Sequence, residues 1–175
     1  MAQSLLQHQF MLPVLIHNKK GIAVVEILVV VGIIAITMSS LLGVVVFSLK
    51  LSASVKETIT ADALAQEVVE AVRSFRDGTD WDIDGLGVLN IGNVYHPEKS
   101  GDIPPAWLLL GGEETVNGFV RKVVFERVSR DPGTNNIEVV YNPGNNDPDT
   151  RKVIVTVSWE DREVEIITYF TNWKQ

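Results

Sequence analysis

The chain has 175 residues, a length that suits one ordinary folded domain plus an N-terminal segment of another kind. With 15 Lys and Arg against 22 Asp and Glu it carries a net charge of -7, a poor match for nucleic-acid phosphates. It contains no cysteine, which excludes disulfides, thiolate metal sites, thiol catalysis and a lipid-attachment cysteine.

Residues 18–38 read NKKGIAVVEILVVVGIIAITM: two lysines, a glycine, and an apolar run into which one acid, Glu26, is set. Residues 27–49 then carry no charge for 23 positions. At about 1.5 Å per residue that run is roughly 35 Å of helix, enough to cross the hydrocarbon core of a bilayer. A buried core helix rarely stays apolar on every face for so long. A cleaved secretory signal has a shorter apolar core and a small-residue cleavage site after it, and this run fits neither. A plain single-span anchor fits the length but leaves Glu26 unexplained, because an ionisable group at the centre of a membrane helix costs about 2.5–3.5 kcal/mol on insertion scales.

The residues KKGIAVVEILVVVGIIAIT resemble the N-terminal signature of type IV prepilins and of the pseudopilins of type II secretion systems. In that family a membrane-embedded aspartyl peptidase cuts after the glycine that ends a basic leader and methylates the new N-terminal amine. The fifth residue of the mature chain is a glutamate. The resemblance implies a leader over residues 1–21, cleavage after Gly21, N-methylation of Ile22 and an assembly role for Glu26. It implies that Glu26 pairs with the N-terminal amine of a neighbouring subunit, since a buried charge without its partner is costly. The alternative is a glutamate satisfied by the positive end of its own helix.

Two features depart from the pattern: Ile22 stands where many members have phenylalanine, and the leader is long and partly apolar. Either Met1 or Met11 is the start.

No proline interrupts residues 22–77, so one helix of 56 residues, roughly 84 Å, is expected. Residues 22–50 form its transmembrane and assembly half. From Leu51 the apolar residues thin to a stripe, Val55, Ile59, Leu64, Val68, Val72 and Phe75, so the second half should lie on a head domain over residues 51–175. Arg73 and Arg76 suit the negative helix end, and Gly78 is placed to stop it. Gly32 and Gly43 each cost about 1 kcal/mol against alanine in water. They serve either close helix packing or local unwinding as a subunit leaves the bilayer, with Gly43 the better candidate for the second.

Residues 77–118 read as loops, thick with Gly, Pro, Asp and Asn. Strand patterns follow in GFVRKVVFERV, NIEVVYN, RKVIVTVSW and REVEIITYF. The last two are joined at Glu160 and Asp161, which predicts an antiparallel hairpin, and NPGNNDPD predicts another hairpin loop. The expected fold is α+β: a long N-terminal helix, membrane-spanning in its first half, packed by its second half against an antiparallel sheet of about four strands. AVRSFRDGTDW, GFVRKVVFERV and the VTVSW and TYFTNW runs are similar in order to the head domains of minor pilin-like proteins, which extends the pilin-like resemblance over most of residues 19–175.

Little in the chain points to chemistry. Asp80, Asp82 and Asp84 followed by Gly85 match the front half of an EF-hand loop, but Ile91 stands where its bidentate glutamate belongs. Calcium is the one cofactor this loop suggests; the other reading is a solvated acidic turn that caps the helix. Asn145, Asp147 and Asp149 form a weaker acidic loop. His96 is the one histidine outside the leader, and no nucleophile elbow, HExxH or phosphate loop is present, so no enzyme is expected. Trp81, Trp107, Trp159 and Trp173 are expected to fill a core rather than stack on sugars.

The reading implied is a minor pilin or pseudopilin, a structural subunit processed by prepilin peptidase and assembled into a type IV pilus or a type II secretion pseudopilus. Its partners would be the bilayer, an inner-membrane assembly platform and other pilin subunits, with no nucleic acid. It would sit in the bacterial cytoplasmic membrane, N-terminus inside as Lys19 and Lys20 suggest, before entering an extracytoplasmic filament. The alternative is a membrane-anchored binding module.

Overall fold

The computed structural model describes residues 19–173, with side-chain surroundings from Val24 onward. The element order is α1 (Lys19–Gly78), β1 (Val94–Lys99), β2 (Trp107–Gly111), β3 (Glu114–Val116), β4 (Phe119–Ser129), a 3-10 turn at Pro143–Asn145, β5 (Asn146–Trp159) and β6 (Arg162–Thr171). Two compact units result, Met1–Leu51 and Ser52–Gln175. Both candidate start residues, Met1 and Met11, and all but the last three residues of the 1–21 leader lie outside the described residues. Gly21 and Ile22 enter only as helical backbone.

The described part of the first unit is helix alone. It is long and apolar enough to cross a membrane and lies near the N-terminus. The backbone stays helical through Gly32 and Gly43.

In the second unit the rest of α1 packs on the sheet. The face it buries is Ala61, Ala65, Val68, Ala71, Val72 and Phe75, with Leu64 partly covered. The expected stripe is therefore correct only from Leu64 on: Val55 and Ile59 are exposed, and alanines extend the buried face instead. Alanine brings the helix backbone close to the sheet, where Val123, Phe125, Val153, Val155 and Val157 are fully buried. Arg121, itself buried, ties the layers together. It reaches Glu114 of β3 at 2.7 Å and Glu67 of α1 at 3.4 Å.

The sheet has six antiparallel strands in the order β2-β1-β4-β5-β6, with β3 pairing β4 off that path. The expectation of about four strands is too low. The segment 77–118, read as loop, supplies β1, β2 and β3, whose Pro, Gly and charged residues hide the strand pattern. The hairpin between the last two strands stands as expected. Trp159 pairs with Arg162 across Glu160 and Asp161, with Glu160 at φ 49°. Val153, Val155, Val157 and Trp159 bury one face of β5, and Phe170 is buried on β6.

NIEVVYN is not a strand, contrary to expectation. Ile137 makes one isolated bridge to Arg130, and Val139 and Val140 stand in solvent. The register explains it: Asn146 sits opposite Ser129, so β5 itself takes the place beside β4 and residues 130–145 become an excursion. The same register shortens the expected loop NPGNNDPD, since β5 already begins at Asn146.

Candidate functional site

Glu26 stands on α1 among exposed apolar neighbours, Val24, Val25, Ile27 and Leu28. No acid occupies the first turn of the helix, where free N–H groups and the helix dipole would satisfy one. Among the described residues no hydrogen bond or ion pair reaches its carboxylate. The hydroxyls farther along are in a different position. Thr37 donates to the Ile34 carbonyl at 2.9 Å, Ser39 to Ala35 at 2.8 Å and Ser40 to Ile36 at 2.9 Å. Those bonds settle each hydroxyl within its own helix, as a hydrocarbon surrounding requires. The carboxylate of Glu26 has no such local solution.

At 3.6 residues per turn, Thr37 and Ser40 project within about 40° of Glu26, while Gly32, Ser39 and Gly43 cluster roughly 100–140° away. The helix thus has a face marked by its acid and a second face marked by small residues. A Cβ added at Gly32 or Gly43 would meet nothing within 4 Å, so no contact inside the described chain demands glycine there.

The structure keeps Asp80, Asp82 and Asp84 on one turn after α1 but turns the carboxylates of Asp80 and Asp84 to local work. Asp84 Oδ1 accepts the Asp80 N–H at 2.8 Å, and Asp80 Oδ1 accepts the Asp82 N–H at 3.1 Å. Among the described residues no three acidic or histidine side chains converge as metal ligands. Ile91, at the position where an EF-hand has its glutamate, packs against the hydrophobic core. Asp147 pairs with Arg130 at 2.6 Å, and Asp149 accepts from Asn172 at 3.3 Å, so the second acidic loop is part of the strand framework. His96 closes a strand pair through Nδ1, 3.2 Å from the Gly112 carbonyl oxygen.

Trp81 and Trp159 are buried in the core, as expected, but Trp173 is exposed, its Nε1 donating to Asp77 at 3.1 Å. Trp107 lies under Lys99 Nζ, 4.9 Å from its ring centre.

Sequence reasoning overlooked two features. Arg151 is a buried cation on β5, and burial is the largest influence pushing its guanidinium below the usual value, with Arg127 adding to it. Gly87 folds its N–H onto the Trp81 carbonyl at 2.9 Å and its own carbonyl under Arg151 at 2.8 Å. No local pattern announces either contact.

Comparison of the chain with protein-family models, with curated proteins and with solved structures found no match.

Proposed function

We propose that this chain is a filament subunit, a minor pilin or pseudopilin of the type IV pilus or type II secretion kind. The single observation that supports the reading is Glu26. It is the one acid bordering a 23-residue charge-free run, and it has no partner among the described residues while the hydroxyls of Thr37, Ser39 and Ser40 each have one. A carboxylate kept in such a place calls for a cation from outside the helix. Cleavage after Gly21 would supply it, as the methylated amine of Ile22 on a neighbouring copy.

In this reading the peptidase trims the chain in the cytoplasmic membrane. Helix packing and the Glu26 contact then draw the subunit from the bilayer into the filament at the assembly platform. Gly32 and Gly43 serve contacts with neighbouring helices or local unwinding during that transfer. The head domain faces outward and supplies surfaces for neighbouring subunits.

The test is the N-terminal peptide mass of the protein recovered from membranes of a host that has a prepilin peptidase. The expected chain starts at Ile22 and is heavier by one methyl group. A chain that still starts in its leader, or one cut near residue 50, overturns the reading.

A further inference from the structure

Residues 137–141, IEVVY, have strong β propensity, yet the fold leaves them unpaired. Val139 is 102% exposed and Val140 79% exposed. Two β-branched aliphatic side chains fully in water mark a contact surface rather than a filler loop. Among the described residues the N–H groups of Val139, Val140 and Tyr141 make no hydrogen bond, whereas that of Glu138 reaches the Ser129 carbonyl at 2.9 Å and that of Asn142 reaches the Ser129 hydroxyl at the same distance. The segment is anchored at both ends and free in its middle.

At one margin of the sheet lies a strand with the opposite deficiency. β2 pairs only with β1, so among the described residues its other edge is open. Natural edge strands are guarded by charge, by proline or by a cover. The other margin follows this rule, since β6 carries Arg162, Glu163 and Glu165. β2 does not: WLLLG has no charge and no proline, and Leu108 and Leu110 are 40% and 41% exposed.

We propose that residues 137–141 of one copy add as a strand to the open edge of β2 in a second copy. The two stretches match in length, five residues each. β2 is uncharged, so the single charge of the segment, Glu138, meets no like charge there, whereas Glu163 and Glu165 on β6 would repel it. Pairing covers the backbone groups of both stretches and, since side chains alternate along a strand, sets one of Val139 and Val140 against Leu108 and Leu110, which share a face. The bend at Val139 and Val140 straightens on docking. Because the two surfaces differ, the contact is heterologous, and repeated without ring closure it generates an open helical array. The contact deepens the filament reading and rests on it for its purpose.

The experiment uses the full chain in membranes. The protein has no cysteine of its own, so introduced thiols are the only ones. A chain carrying both Leu110→Cys and Val140→Cys, and a second with Val139→Cys in place of the latter to present the other strand face, is oxidised and run without reductant. The expected result is a reducible ladder of dimers, trimers and higher species in at least one of the two. Each single-cysteine chain should stay monomeric. Adding Val139→Asp to the laddering Val140 chain, or Val140→Asp to the laddering Val139 chain, should lower the cross-linked fraction at least tenfold. Both side chains point into solvent, so the fold is not at risk.

Absence of a ladder from both chains overturns the proposal. So do dimers formed by Val140→Cys alone, since they would mean that this segment meets its own copy. The N-terminal mass from the same membranes separates the two readings. No ladder with a chain starting at Ile22 removes the strand contact and leaves the filament subunit. A ladder with an uncut chain retains the contact and removes the prepilin pathway.

Discussion

Trp81 and Arg151 donate to the same acceptor. The indole Nε1 of Trp81 reaches the Pro148 carbonyl oxygen at 3.3 Å, and Nη1 of Arg151 reaches it at 2.9 Å. The guanidinium lies 5.7 Å from the centre of the Trp81 ring, in cation–π contact, and its other arm holds the Gly87 carbonyl at 2.8 Å. One buried cation thus joins the turn after α1 to the first residues of β5. A planar fork is needed for this, because the acceptors lie on two separate segments.

Arg151→Lys keeps the charge and loses the fork. It should destabilise the head by about 2–4 kcal/mol, since the Gly87 carbonyl is left without its donor and the buried cation loses part of its hydrogen bonding. The urea midpoint of the full chain in detergent, followed by tryptophan fluorescence, checks this. A midpoint shift equivalent to less than about 0.5 kcal/mol, the usual range for surface changes, would mean that Arg151 is not holding the turn.

Gly87→Ala tests the same turn by crowding. An added Cβ would crowd the Trp81 backbone carbonyl oxygen most closely and lie 2.6 Å from Cδ1 of Trp81 and 2.8 Å from its Nε1, so both the turn backbone and the indole must shift. A loss of about 1–3 kcal/mol is expected, as for overpacked cores. Gly111→Ala, where a Cβ meets nothing within 4 Å, is the comparison and should change stability by less than about 0.5 kcal/mol. Equal effects of the two would show that the turn and Trp81 yield without cost.

The head should lose stability in acid partly through Asp147. Burial pushes its carboxyl up, but hydrogen bonds from Thr150, Arg130 and the Asp149 N–H, with the charge of Arg130, together hold it below the ordinary carboxylate value. A group with a depressed folded pKa contributes stability that is fully present above its unfolded value, about 3.9, and lost as pH falls through the folded one. The urea midpoint should therefore hold from pH 7 to about pH 5 and fall below pH 4. Asp147→Asn should be less stable than the parent at pH 7, and the gap should close as the pH drops below 4. A gap independent of pH would place the effect in packing rather than charge.

Glu26→Leu separates a filament subunit from a membrane-anchored binding module. The substitution removes an insertion cost of about 2.5–3.5 kcal/mol, so membrane anchoring should be as good or better. Assembly should fail, because the amine of the neighbouring chain loses its counter-charge. Fractionation of the variant, followed by sedimentation of sheared surface filaments, reads both properties. Filaments formed at the parent level would exclude Glu26 as the docking group.

The sequence by itself determined what depends on near neighbours along the chain. The charge-free run with Glu26 at its start, the helix that ends at Gly78, and the alternation in β5 and β6 are all local patterns of burial, and each is legible because hydrophobic period follows from backbone geometry. Tertiary structure decided whatever depends on where distant segments return. NIEVVYN and β6 have similar β propensity, yet one stands in water and the other closes the hairpin, because the register of β4 with β5 leaves no neighbour for the first. Ala61, Ala65 and Ala71 became core only because a sheet lies close above them, and Val55 and Ile59, more apolar, stay exposed where none does. Arg121 and Arg151 look like ordinary surface cations until folding supplies Glu67, Glu114, Trp81 and the Gly87 carbonyl. Propensity is a property of a residue and its near neighbours, whereas a partner is a property of the whole chain, and stability depends on both.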